Sequence, residues 1–327
     1  MIDLLALGEV LIDLTPAGTS TQGAALFARN PGGAPANVLA MAARLGSHCS
    51  LIGKVGNDPF GRFLQDTLTG LNIDTSTLSV DPKIPTTLAV VQLDPQGDRS
   101  FSFYRKPGAD IMLTPEEVPL RTIQACRTFH FGSLSLTDEP CRSATLHGVL
   151  TARKLGKRIS FDPNYRPALW PSPAQARSEM ERGAALCDIL KVSEEEMTFL
   201  TGETNPESGS AALLSRGPSM ILVSLGGKGA FFRTPSCYGS VPAYQVEVCD
   251  TTGAGDAFLG AFLHRTRELS PQQLNTLPQD TLADIVDFAN AAAALTTTRG
   301  GAIPALPTPE EIDSCRKQGL YRTLQTL

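Results

Sequence analysis

Residues 250–258 read Asp-Thr-Thr-Gly-Ala-Gly-Asp-Ala-Phe, a polar turn that runs directly into the apolar start of a helix. Gly253 and Gly255 have no Cβ, so the backbone there can turn sharply and admit a ligand close to its amides. The amides of 253–256 fall in the first turn of a helix that continues through Phe258, Leu259, Ala261, Phe262 and Leu263. They have no acceptor within that helix. Free N–H groups at the positive end of a helix dipole make an anion site, and phosphate is the commonest biological anion that needs one. Asp256 would repel such a ligand unless it takes part in chemistry. The role it suits is accepting a proton from an attacking hydroxyl while the neighbouring amides hold a phosphoryl group in transfer. A glycine-rich turn with an Asp is also an ordinary helix start, so the reading rests on the whole run of two threonines, two glycines and an acid.

Working outward, helices are expected over 254–268 and about 279–298, the second carrying the run ANAAAAL, whose small residues imply close packing against a neighbour or a flat ligand. Upstream, 220–225 reads as a strand leading to GGKG at 226–229 and a further strand at 230–233. Ser193 with Glu196 three positions on matches a helix capping box. The strand at 158–161 runs into FDPNYRPALW, which puts Asp162, Asn164 and Arg166 at a strand's C-terminal end, where α/β sheets bind ligands. Between 86 and 105, TLAVVQL and RSFSFYR flank DPQGD, a β-hairpin that interrupts the alternation of strand and helix. With the extended material near 10–31 it forms a small β-lid over a site. Ile2–Leu7 is a buried strand with Asp13 just beyond it, and GGAPAN at 32–37 opens a helix with Gly33 and Asn37 placed to meet a hydroxylated ligand. The expected fold is a single α/β domain over 1–327, a doubly wound, mostly parallel sheet, with lid segments at about 12–31 and 86–108.

A net charge of −5 without any cluster of Lys and Arg argues against a nucleic-acid surface. The seven cysteines form no CxxC pair and no metal-ligand spacing with the four histidines, so they read as reduced thiols of a cytoplasmic protein. The N-terminus lacks the features of a signal peptide, and no apolar run reaches the roughly 18 residues a membrane helix requires. Neither GxxxxGK[ST] nor a GxGxxG after the first strand occurs, which disfavours P-loop kinases and Rossmann dehydrogenases.

GGAPAN and DTTGAGDAF, in this order and separation, resemble the two signatures of the ribokinase-like (PfkB) carbohydrate kinases. FYRKPGAD, FDPNYRP and SEEE add similarity to its fructokinase and aminoimidazole riboside kinase branches. The resemblance implies transfer of the γ-phosphoryl group of ATP to a sugar's primary hydroxyl, D-fructose first, with aminoimidazole riboside, ribose, 2-keto-3-deoxygluconate or a nucleoside as other acceptors. It implies Asp256 as base, with Gly253, Ala254 and Gly255 as the anion hole. It implies Asp13, Gly33, Asn37, Phe103, Arg105 and Arg166 at the sugar. Ser224, Gly226, Gly227, Lys228, Gly229 and Asn290 are implied at the nucleotide. Glu196 is implied at Mg2+ through water, though the family's Asn-x-x-Glu here begins with Ser193. Asp250 and Thr252, with carbonyls near Thr296, Arg299 and Gly301, are implied at K+, and Ala305 stands where a hydroxyl residue is often found. A homodimer through the lid is also implied. The competing class, a non-catalytic sugar or nucleotide sensor on the same fold, is opposed by the acid at 256.

Overall fold

A computed structural model of the chain describes residues 1–93 and 99–321. Its strands are β1 (Ile2–Leu7), β2 (Leu11–Thr19), β3 (Ala25–Gly32), β4 (Cys49–Gly56), β5 (Ile73–Asp74), β6 (Leu78–Asp81), β7 (Leu88–Leu93), β8 (Arg99–Tyr104), β9 (Cys126–Gly132), β10 (Arg158–Asp162), β11 (Ile189–Ser193), β12 (Met220–Ser224), β13 (Ala230–Arg233) and β14 (Tyr238–Val241). The α-helices are α1 (Ala34–Arg44), α2 (Pro59–Gly70), α3 (Leu120–Ala125), α4 (Cys141–Lys154), α5 (Pro173–Leu186), α6 (Glu194–Thr201), α7 (Pro206–Leu214), α8 (Ala254–Arg265), α9 (Pro271–Asn275), α10 (Gln279–Thr296) and α11 (Pro309–Gln318).

The main sheet runs β14-β13-β12-β11-β10-β9-β1-β4-β5, with β6 on β4. Its ladders are parallel except for those joining β13 to β12 and β14 to β13. A strand covered on both faces reads as an unbroken apolar run, and β1 shows why. Leu4 and Ala6 enter the core packed by α1, α8 and α10, while Leu5 and Leu7 enter the opposite core, packed by α4, α5 and α6. From β1 the chain crosses by α1 to β4 on one side, then returns to β9 on the other and continues outward through β12. The strand order therefore reverses at the β1/β9 gap. With crossovers leaving to opposite faces there, a crevice opens at the strands' C-terminal ends.

Strands β3-β2-β7-β8 form a second, separate sheet. The expected hairpin is β7–β8, and its DPQGD turn lies outside the described residues. Residues 15–31, read from sequence as loop and short strands, hold most of the paired strands β2 and β3, which lie antiparallel to each other, and β7 adds a parallel ladder to β2 along Ile12–Leu14. The expectation also missed α3, α7, α9 and β14. Helix α7 begins with Pro-Glu-Ser-Gly-Ser, a loop-like composition, and is held by Asn205 accepting from the Glu207 amide and by burial of Leu213. Among the described residues, no helix is long and apolar enough to cross a membrane.

Candidate active site

Helix α8 starts at Gly253, whose φ of 77° is left-handed and where a Cβ would lie 2.6 Å from that of Ala302. Conformation and space both require glycine there. No side chain caps this helix. The Ala254 amide makes a long bond of 3.3 Å to the Thr251 carbonyl, and Ala257 closes the first helical turn on the Gly253 carbonyl at 2.8 Å. The helix end therefore faces the crevice open to an anion.

Asp256, in the first turn of α8, is buried and lines a cavity of about 440 Å³ together with Asp13, Gly33, Asn37, Phe103 and Arg166. Asp13 comes from β2 and Phe103 from β8, so the second sheet forms one wall. Gly33, with φ of 105° and a would-be Cβ 2.5 Å from the Glu9 carbonyl, brings the start of α1 against the end of β1. Asn37 donates its Nδ2 to Asp256 Oδ2 at 2.8 Å. Burial pushes the Asp256 carboxyl up to about 6, and the charge of Asp162 adds to this; the Asn37 bond, Lys191 and Arg166 oppose it. Asp13 is pushed up to about 7, first by burial, with Arg166 opposing and the charges of Asp256 and Asp250 adding. Carboxyl groups tuned into the neutral range suit acid–base exchange with a hydroxylated ligand.

A second cavity of about 330 Å³ lies on the other side of the same turn, lined by Ser224, Gly226, Gly227, Gly229, Asn290 and Ala294 among others. Its walls are mostly apolar and built from small residues, a slot fit for a flat ring. Thr251 and Gly255 line both cavities. One space rich in polar groups thus meets one flat apolar space across a helix N-terminus.

The whole stretch 1–309 matches the family model for pfkB family carbohydrate kinases. The chain belongs to this family. It is an ATP-dependent carbohydrate kinase. It is 44% identical to fructokinase-1 of Oryza sativa subsp. japonica over 94% of this chain and 96% of that protein. Among solved structures it resembles fructokinase with bound ATP from Xylella fastidiosa, with a TM-score of 0.90 and 32% identity over 98% of this chain and 99% of that one. It also resembles a double mutant of Vibrio cholerae O395 fructokinase bound to fructose, ADP and potassium ion, with a TM-score of 0.85 and 38% identity over 95% and 97% of the two chains.

The kinase's other expected site residues fall into two groups. Arg166 stands in the polar cavity. Arg105 does not line it: the guanidinium is buried and bonded to Asp110, the Thr137 hydroxyl and the Leu134 carbonyl, so it braces the wall from behind. Lys228 projects outward, half-exposed and 3.5 Å from Glu194, away from the slot that Gly226, Gly227 and Gly229 line. Asn290 lines the slot, while its Nδ2 holds the carbonyls of Val241 and Pro242. Ser193 accepts from the Glu196 amide and donates to Glu195, and Glu196 returns the capping box to the Ser193 amide at 2.8 Å while its other oxygen accepts from the Tyr165 amide at 2.6 Å. Asp250 accepts from the amides of Thr252 and Gly301, and the Thr297 carbonyl accepts from the amides of Cys249 and Asp250, so the 250–252 turn and the 297–301 loop are one unit. Within that unit the Thr296 hydroxyl donates to the Ala292 carbonyl of its own helix, and Arg299 pairs with Glu311.

Two charged residues in the kinase's polar cavity escaped sequence reasoning. Glu9 sits directly after β1, 2% exposed, with Oε1 accepting from the Ala34 amide, and burial pushes it up to about 7. Lys191 lies on β11. The available signal was a charged residue in or just after a strand that is otherwise apolar on both faces.

Proposed function

We propose that this kinase transfers the γ-phosphoryl group of ATP to the primary hydroxyl of D-fructose, giving fructose 6-phosphate. The observation that carries the reading is the shared wall: Gly255 borders both cavities, and Asp256 faces the polar one. Fructose lies among Asp13, Gly33, Asn37 and Arg166, with Phe103 of the second sheet as an apolar face. The adenine lies in the slot beside Ala294 and Asn290, and the γ-phosphoryl group meets the amides of Gly253, Ala254 and Gly255. Asp256 takes the proton of the attacking hydroxyl as the new O–P bond forms and the bond to the β-phosphate oxygen breaks. The loose transition state needs little nucleophile activation, so positioning and charge neutralisation carry most of the rate.

The carboxylates Asp162 and Glu196 fit a magnesium ion held mainly by phosphate oxygens and water, since Glu196 already accepts two amides and keeps lone pairs for water alone. Magnesium, when bound, neutralises charge on the β- and γ-phosphates. A potassium ion fits the 250–252 and 297–301 unit, with Asp250, Thr252 and the carbonyls of Thr296, Arg299 and Gly301 as donors. The chain is one domain, and its second sheet acts as a lid that excludes water during transfer and joins two copies into a homodimer. The enzyme works in the cytoplasm, a reading supported by seven free cysteines.

A coupled ADP-release assay over fructose, ribose, aminoimidazole riboside and 2-keto-3-deoxygluconate tests the assignment. Fructose is expected to give the highest kcat/KM. Faster turnover of any other acceptor overturns the fructose assignment, and sugar binding without turnover of any overturns the kinase step.

A further inference from the structure

Between β14 and the turn at 250, residues 242–248 form one wall of the apolar slot, contributing Ala243, Tyr244, Val246 and Val248 to its lining. This stretch lies past the main sheet, since the ladder of β14 with β13 ends at Val241. Backbone outside a ladder needs other partners to stay in place. At one end, Asn290 Nδ2 donates to the carbonyls of Val241 and Pro242. At the other, the amides of Cys249 and Asp250 donate to the Thr297 carbonyl. The middle is held by the C-terminal tail. Among the described residues, the one backbone-to-backbone hydrogen bond donated from 242–248 runs from the Gln245 amide to the Leu320 carbonyl at 2.7 Å. Tyr244 and Tyr321 form an antiparallel bridge at the same place.

Side chains reinforce the tie. The rings of Tyr244 and Tyr321 lie 4.7 Å apart between centroids, tilted by 33°. The buried Tyr244 donates its hydroxyl to Asp287 Oδ1 at 2.9 Å, and the Tyr321 hydroxyl donates to the same oxygen at 3.2 Å. Arg316 Nε, in the last turn of α11, donates to Asp287 Oδ2 at 2.8 Å. One carboxylate on α10 thus gathers the wall, the tail and α11. Tyr244 and Val246 line both the slot and a groove behind it, which Leu320 also lines, so the wall is a thin partition with the tail on its far side. The match to the family model ends at residue 309, and the tail lies beyond it.

We propose that residues 320–321 are a brace for the nucleotide site: docked on Tyr244 and Gln245, they hold the slot's wall at the spacing a flat ring requires. Tyr321 is therefore a positioning residue that acts through Tyr244. This rests on placing the adenine in the slot, but not on the identity of the sugar. A wall fixed beforehand spares the ligand the ordering of 242–248, whereas a wall freed from the tail must be ordered by the nucleotide itself. The sugar lies across the start of α8, among Asp13, Asn37 and Arg166, and does not feel the tail.

The test compares the native enzyme with Tyr321→Ala, Tyr321→Phe and a chain ending at Gly319. Affinities for ADP and for the best acceptor of the sugar panel are measured by calorimetry, and hydrogen exchange across 242–248 is followed without ligand. Tyr321→Ala and the shortened chain are expected to weaken ADP about threefold to tenfold, the scale of one aromatic pair and one hydrogen bond. Both should speed exchange across 242–248 and leave sugar affinity within about twofold. Tyr321→Phe keeps the ring and should recover most of the ADP affinity. Native ADP affinity in both Tyr321→Ala and the shortened chain, equal weakening of sugar and ADP, or unchanged exchange across 242–248 overturns the proposal. Ala294→Leu is the control on the slot. If it weakens ADP while the tail variants do not, the brace alone fails; if it also leaves ADP at native affinity, the slot assignment fails and the brace with it.

Discussion

Asn37 Nδ2 donates to Asp256 Oδ2 across 2.8 Å, tying the start of α1 to the start of α8 over 219 positions of chain. The bond favours the charged carboxylate, against burial, which favours the neutral one. Replacing Asn37 with Leu removes the opposing influence, so the pKa of Asp256 rises and the acid limb of the kcat profile moves to higher pH. Activity should fall more at about pH 6.5 than at about pH 8.5. A uniform loss across the range would show that Asn37 acts through sugar binding alone.

Asp256 must be ionised to accept a proton, so native kcat should rise through about pH 6 and level off above it. Asp256→Asn should lower kcat by roughly two to four orders of magnitude with fructose affinity nearly intact. Turnover near native in this variant would remove the aspartate from the mechanism.

The same carboxyl is a burden on stability. Its folded pKa, about 6, lies above the ordinary 3.8, so the fold is favoured most when the group is protonated, below about pH 4, and loses that stability as pH rises through 6. Asp256→Asn should therefore raise Tm at about pH 8, by roughly 2–4 °C for each kcal/mol recovered, and leave it unchanged near pH 4. Thermal scans at the two pH values decide this, and a lower Tm at pH 8 would mean the carboxylate is better compensated than its burial indicates.

Ala294 lines the apolar slot on α10. Leucine there fills space a flat ring needs. KM for ATP should rise about tenfold or more while fructose affinity, read by calorimetry, holds steady. Equal effects on both ligands would place the adenine elsewhere.

Leu26 and Phe27 on β3 and Tyr104 on β8 are exposed large apolar residues of the second sheet. Consecutive positions on a strand face opposite ways, so Leu26 and Phe27 together leave both faces of that hairpin end open. Sedimentation is expected to show a dimer for the native enzyme and a shift toward monomer for Leu26→Ser/Phe27→Ser. A native monomer at micromolar concentration would rule the lid interface out.

Local chemistry was readable from the chain. The apolar run of β1, the glycines at 253 and 255 and the capping box at Ser193 all act through neighbours within a few residues, so the alternating architecture and a helix start at Gly253 with Asp256 in its first turn followed from sequence. The direction of long side chains did not. Arg105 and Lys228 sit at expected positions, yet the first is drawn behind the cavity wall by Asp110 and the second outward by Glu194.

Sequence by itself determined which backbone could bend, which runs would be buried and where an acid would stand beside bare amides, because those depend on residue type and short-range spacing. Tertiary structure alone decided that Asn37 would reach Asp256, that Glu9 would face the same cavity and that Lys191 would stand under Gly255. Those meetings depend on strand order reversing at β1, which brings the ends of β1, β10 and β11 and the start of α8 around one crevice, and nothing within a short stretch of chain encodes that distance.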